Sequence, residues 1–135
     1  MTGAALSYPA QFDAASPRFY PGEAEFDIER AEGVLTLSLP VADDAPLPDA
    51  VDAARSLLGG LDALDGEARA WLRAQPGWPY GDDALLWLVL VEGERARFCY
   101  RQESVNDEQV IGFARVGGGQ GGDWRLTGPD PRHRG

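Results

Sequence analysis

Lysine is absent from this chain, and cysteine, histidine and methionine occur once each in 135 residues. A single cysteine, Cys99, closes no internal disulfide and supplies no multi-thiolate metal site, which suits a reducing compartment. The single histidine, His133, lies in the tail "GPDPRHRG", so a Cys–His or Ser–His–Asp set would depend on a base with no element to hold it. No apolar run approaches the roughly 20 residues of a membrane span; the longest runs from Ala84 to Val91. The opening "MTGAALSYPAQFDAASPRFY" lacks both a basic start and an apolar stretch of about 7–15 residues, so no secretory signal is read and the expected location is the cytoplasm. Phosphate-binding motifs are missing too. The glycine-rich "VGGGQGGDW" leads into another strand rather than a helix, and no lysine follows it. These absences predict a chain that is not an enzyme, with no catalytic residue, no metal and no cofactor.

What is present is acid. The net charge is −10, and it is concentrated in the middle: residues 23–83 hold 14 Asp and Glu against 4 Arg, whereas residues 84–135 hold 7 of each. A nucleic-acid binder would carry the opposite sign, so no nucleic acid and no membrane is expected as a partner. A cationic protein is favoured instead, because an acidic face accelerates encounters with one.

The length fits one domain. Residues 1–20 carry Pro9 and Pro17 without periodicity and read as a flexible segment. Residues 21–128 form the domain, and 129–135 a flexible tail. In "EAEFDIER", Glu23, Glu25, Asp27 and Glu29 alternate with Ala24, Phe26 and Ile28, the period of a half-buried strand; "VLTLSLP" repeats it, giving a hairpin that turns near Gly33. After the breakers of "VADDAPLPDA", the spacing of Val51, Ala54, Leu58 and Leu61 predicts a helix that Gly59-Gly60 interrupts. A second helix follows with Ala68, Trp71 and Leu72 inward, ended by Pro76. "ALLWLVLVEG" is apolar on both faces and reads as a central strand covered on both sides, or a strand whose outer face is shielded by something else. "RARFCYRQ", "EQVIGFARV" and "DWRLTG" complete a meander. The predicted fold is α+β, a mainly antiparallel sheet of five to six strands in the order β-β-α-α-β-β-β-β, with two helices packed on one face.

Three groups of residues are candidates for chemistry or binding. Cys99 shares a strand face with Arg95, Arg97 and Arg101, a setting that favours thiolate, yet no structured base accompanies it, and it reads as a small strand residue. "GWPYGDD" gathers Trp78, Tyr80, Asp82 and Asp83, a composition able to stack on a sugar or enclose a cation; a small-molecule binder or weak hydrolase would use this loop. The row Glu23, Glu25, Asp27 and Glu29 forms an acidic strand face suited to pairing with Arg or Lys of a partner.

The stretches "EAEFDIERAEGVLTLSLP", "LPDAVDAARSLLGGLDALDGEARAWL" and "RARFCYRQ…EQVIGFARV" resemble, in pattern and order over residues 20–128, a group of uncharacterised bacterial domains, some of them similar to immunity proteins for polymorphic toxins. The resemblance implies an antitoxin-like binding role and assigns no functional residue. The expected function is therefore a non-catalytic acidic module that binds a basic protein, with the loop reading and a structural homo-oligomerisation module as alternatives.

Overall fold

Alternation of period two becomes a hairpin, as the pattern requires. The computed structural model describes residues 7–42, 45–74, 84–102, 107–116 and 123–129. In it β2 (Glu23–Arg30) and β3 (Gly33–Ala42) pair antiparallel, burying Ala24, Phe26, Ile28, Leu35, Leu37 and Leu39 on one side. Gly33 sits at the turn with φ near +142°, a backbone conformation that side chains with a Cβ rarely adopt.

The chain then leaves the sheet. After the two-residue strand β4 (Ala45–Pro46), α2 (Pro48–Gly59) begins with proline in its first turn, where a missing N–H costs nothing. Gly60 divides α2 from α3 (Leu61–Arg73): its N–H bonds to the Leu57 carbonyl, closing the first helix, and its own carbonyl accepts from Leu64 to open the second. Ala50, Ala53, Ala54, Leu57 and Leu58 of α2, with Leu61, Leu64, Ala68 and Leu72 of α3, pack into one core with the apolar sheet face.

This two-helix excursion returns the chain to the end of the sheet from which β3 started. β5 (Leu85–Glu92) therefore lies parallel to β3, with Thr36, Leu37 and Ser38 opposite Leu88, Val89 and Leu90. Parallel neighbours need such a crossover. β6 (Arg95–Gln102), β7 (Asp107–Val116) and β8 (Asp123–Pro129) follow as antiparallel neighbours. β5 occupies the middle of the sheet, in keeping with its apolar composition.

The α+β class stands, but its details differ from the sequence expectation. The described residues form eight strands and three helices, and the sheet is mixed. Besides the two-residue β4, the additional elements lie within the first twenty residues, left outside the domain by the expectation. Ser7 accepts a hydrogen bond from the Ala10 N–H and caps α1 (Tyr8–Ala14), whose Phe12 is buried with its ring 4.8 Å from that of Phe26. β1 (Arg18–Tyr20) follows and pairs with Glu23–Glu25 at the sheet edge. Pro9 and Pro17, which suggest an irregular segment, instead open a helix and precede an edge strand, two places where proline is tolerated.

Phe98 is fully buried, with its ring 4.6 Å from that of Phe113, whereas Phe19 is 53% exposed on β1. Truncating Phe98 to alanine should cost about 3–5 kcal/mol, and the same change at Phe19 about 0.5 kcal/mol or less, read as shifts in urea unfolding midpoints at constant slope.

Candidate functional site

The sheet face turned away from the helices carries its charges in rows. Register with β3 places Glu23, Glu25, Asp27 and Glu29 there, opposite Pro40, Ser38, Thr36 and Val34, and about 7 Å apart along the strand. Beyond the apolar residues of β5, Arg95, Arg97, Cys99 and Arg101 of β6 share that side. The acidic row is not uniform. Glu23 is half-buried and accepts from the Ser38 hydroxyl. Arg18 of β1 clamps Asp27 through two hydrogen bonds, 2.7 and 2.9 Å, and reaches Glu25 at 3.4 Å. That guanidinium holds the Asp27 carboxyl below the usual carboxylate range. Glu29 is exposed, and its carboxylate has no ion-pair partner among the described residues.

Beside Asp27 and Glu29 runs a groove of about 770 Å³ between α1 and the β2–β3 hairpin, with Tyr8, Gln11, Ala14, Ala15, Arg30, Ala31 and Val34 completing its walls. Backbone pairing explains how α1 reaches this place. Gly22 accepts from the Val41 N–H, so even-numbered positions of β2 bond to β3 and odd-numbered positions point their backbone groups outward. At Glu29 those outward groups meet the Gln11 side chain: the Glu29 N–H donates to Gln11 Oε1 at 2.7 Å, and Gln11 Nε2 donates to the Glu29 carbonyl at 3.1 Å. One amide thus stands in for a neighbouring strand.

Behind the hairpin, on the core side, lies a charged network. Asp65 of α3 is buried and accepts from the Tyr100 hydroxyl at 2.5 Å, from Arg69 Nε at 3.0 Å and from Arg30 Nη2 at 3.1 Å. Arg69 also donates to the Ala84 carbonyl and to both oxygens of Glu32, while Glu32 accepts from the Leu86 N–H. Asp62 accepts from Arg30 and from the Tyr8 hydroxyl, each at 2.9 Å. Burial works against the charge on Arg30, but the bonds to Asp62, Tyr8 and Asp65 outweigh it and raise the pKa of the guanidinium. The Arg30 bond in turn lowers the Asp62 carboxyl. Burial, reinforced by Asp65, pushes the Tyr100 phenol far up, so it stays a neutral donor. Through Tyr8, Arg30 and Asp62 this network fixes the start of α1, and with it one wall of the groove.

Cys99 is fully buried in a small apolar cluster with Leu88 and Val110, packed by Trp87 and Leu90. Arg97 lies 3.5 Å from Glu92, and Arg101 sits over the Trp87 ring, whose Nε1 donates to Glu108. The thiol is thus enclosed rather than presented. Trp78, Tyr80, Asp82 and Asp83 lie outside the described residues, as does His133. Among the described residues no group of three or more His, Cys, Asp and Glu side chains could hold a metal ion, and no helix is long and apolar enough to cross a membrane. No protein-family model, curated protein or solved structure matches the chain.

Sequence reasoning places the acidic row on its strand but misses Tyr8, Gln11 and Arg18, which give the site its shape and its counter-charge. The one local signal for the network is the Asp65–Arg69 pair at i, i+4.

Replacing Asp65 with alanine leaves Arg30, Arg69 and Tyr100 short of their shared acceptor and should cost about 3–5 kcal/mol, whereas Tyr100→Phe removes one bond and should cost about 1 kcal/mol, both measured by chemical denaturation. Asp27 and Asp62, with carboxyls lowered by Arg18 and Arg30, contribute stability that is present above the ordinary carboxylate value of about 4 and is lost as pH falls below it. The thermal midpoint should drop from pH 5 to pH 2, and the drop should be smaller in Asp62→Asn.

Proposed function

We propose that this chain is a non-catalytic, cytoplasmic binding module for a basic protein, docking through the acidic edge of the sheet in the manner of an immunity protein. The observation that carries this reading is the placement of Asp27 and Glu29: both are exposed, and both form the wall of an open groove rather than part of the core. Net charge of −10 supplies long-range attraction for such a partner, with a screening length of about 8 Å at physiological ionic strength. Glu23 and Glu25, half-buried and partly satisfied within the chain, add to the field more than to contact. Self-association is a second reading, favoured by Phe19 and Tyr20, which are 53% and 46% exposed on edge strand β1. Pro17 and Pro21 flank that strand and limit any ladder along it to three residues.

Basic proteins retained from a native lysate by the wild-type chain at 20 mM salt should be lost by Asp27→Arg/Glu29→Arg, and their association rate should fall about tenfold in the variant, with the difference shrinking at 500 mM salt. Equal retention by both proteins would overturn the reading. A sedimentation equilibrium mass of one chain at high concentration would remove the self-association alternative.

A further inference from the structure

We propose that the groove between α1 and the β2–β3 hairpin receives an arginine side chain of the basic partner, and that Arg18 holds that arginine's place on Asp27 while the protein is free. The inference rests on the binding role given above and names its anchoring contact.

The chain itself shows that a guanidinium fits here. Arg18 meets Asp27 through two nearly equal bonds, Nη1 to Oδ2 and Nη2 to Oδ1, the fork geometry that arginine makes with a carboxylate and lysine cannot. This pair is half-exposed on both sides, with 44% of the Arg18 side chain and 50% of the Asp27 side chain open to solvent. Exchange at Asp27 replaces one guanidinium fork by another on an accessible carboxylate, so the strength of the pair itself largely cancels. Arg18 reaches Glu25 at 3.4 Å on the side of β1, whereas an arriving arginine would lie on the other side of Asp27, next to Glu29. Glu29, two residues along the same strand face, offers a second carboxylate with no ion-pair partner among the described residues. The small apolar side chains of Ala14, Ala15 and Val34 line the groove and suit the methylene stem of an arginine. Arg30 at the same wall does not oppose the newcomer with a free charge, because Asp62 and Asp65 both accept from it.

Arg18 is therefore an internal competitor, and its removal should strengthen binding. The test is a titration of the full-length, ¹⁵N-labelled protein at 20 mM salt with the capped peptide acetyl-Ala-Arg-Ala-amide, followed by amide chemical shifts, which also report whether each variant is folded. Saturable shifts are expected at Ala14, Ala15, Ala31 and Val34. Affinity should rise about threefold in Arg18→Ala and fall about threefold in Glu29→Gln. Arg125→Ala removes the same charge from a strand at the opposite end of the sheet and should leave affinity unchanged. Equal tightening by Arg18→Ala and Arg125→Ala would reduce the effect to overall charge and overturn the proposal; so would shifts that avoid the groove, or an Arg18→Ala variant that binds no better than wild type. If the groove fails in this way while Asp27→Arg/Glu29→Arg still abolishes retention of basic proteins, the broader binding role survives without this anchor. If both experiments fail, neither stands.

Discussion

Asp65 is the acceptor on which three elements converge. A carboxylate buried in α3 would be costly on its own, since the charged form loses its water. Here it takes a hydroxyl from β6, a guanidinium from the end of β2 and another from its own helix, one turn on. The two arginines extend the connection outward, Arg69 to Glu32 and Ala84, Arg30 to Asp62 and the face of the Tyr8 ring. Apolar burial is non-directional, whereas these bonds are directed, and they tie α3 and α1 to particular places against the sheet.

That constraint separates the two sides of the hairpin. On the core side, Asp65 and Arg30 are enclosed and paired with each other. On the open side, the same strand offers carboxylates that are shared with one exposed arginine or have no ion-pair partner among the described residues. The strand's period of two makes the division: Phe26, Ile28 and Arg30 face inward, Glu25, Asp27 and Glu29 outward. Contacts on the open side can therefore exchange without disturbing the core.

Much of this architecture is legible in the chain. Alternation at residues 23–39 gives the hairpin, the apolar stripe and the double glycine give two helices and their break, and the all-apolar character of residues 84–91 gives a central strand. What escapes is non-local. The parallel pairing of β3 with β5 depends on where a long excursion re-enters, which no window of sequence contains. α1 escapes because seven residues with one buried aromatic are too few for a periodic signal, although Ser7 followed by Pro9 is a readable helix start. The candidate site is legible as an acidic face and illegible as a groove: Gln11 and Arg18 act across 18 and 9 residues of separation, and in sequence they look like ordinary surface polar residues. Asp65, Arg30 and Arg69 likewise read as solvated charges until the fold brings them together.

The Gln11 amide has one further consequence. By occupying both the donor and the acceptor of Glu29, it plugs the rim of the sheet at the point where β1 has already ended. A bare rim is a template on which foreign strands stack, and proteins that leave one open tend toward fibrils. The short leading helix is thus a stopper for this stretch of the rim as well as a wall of the groove.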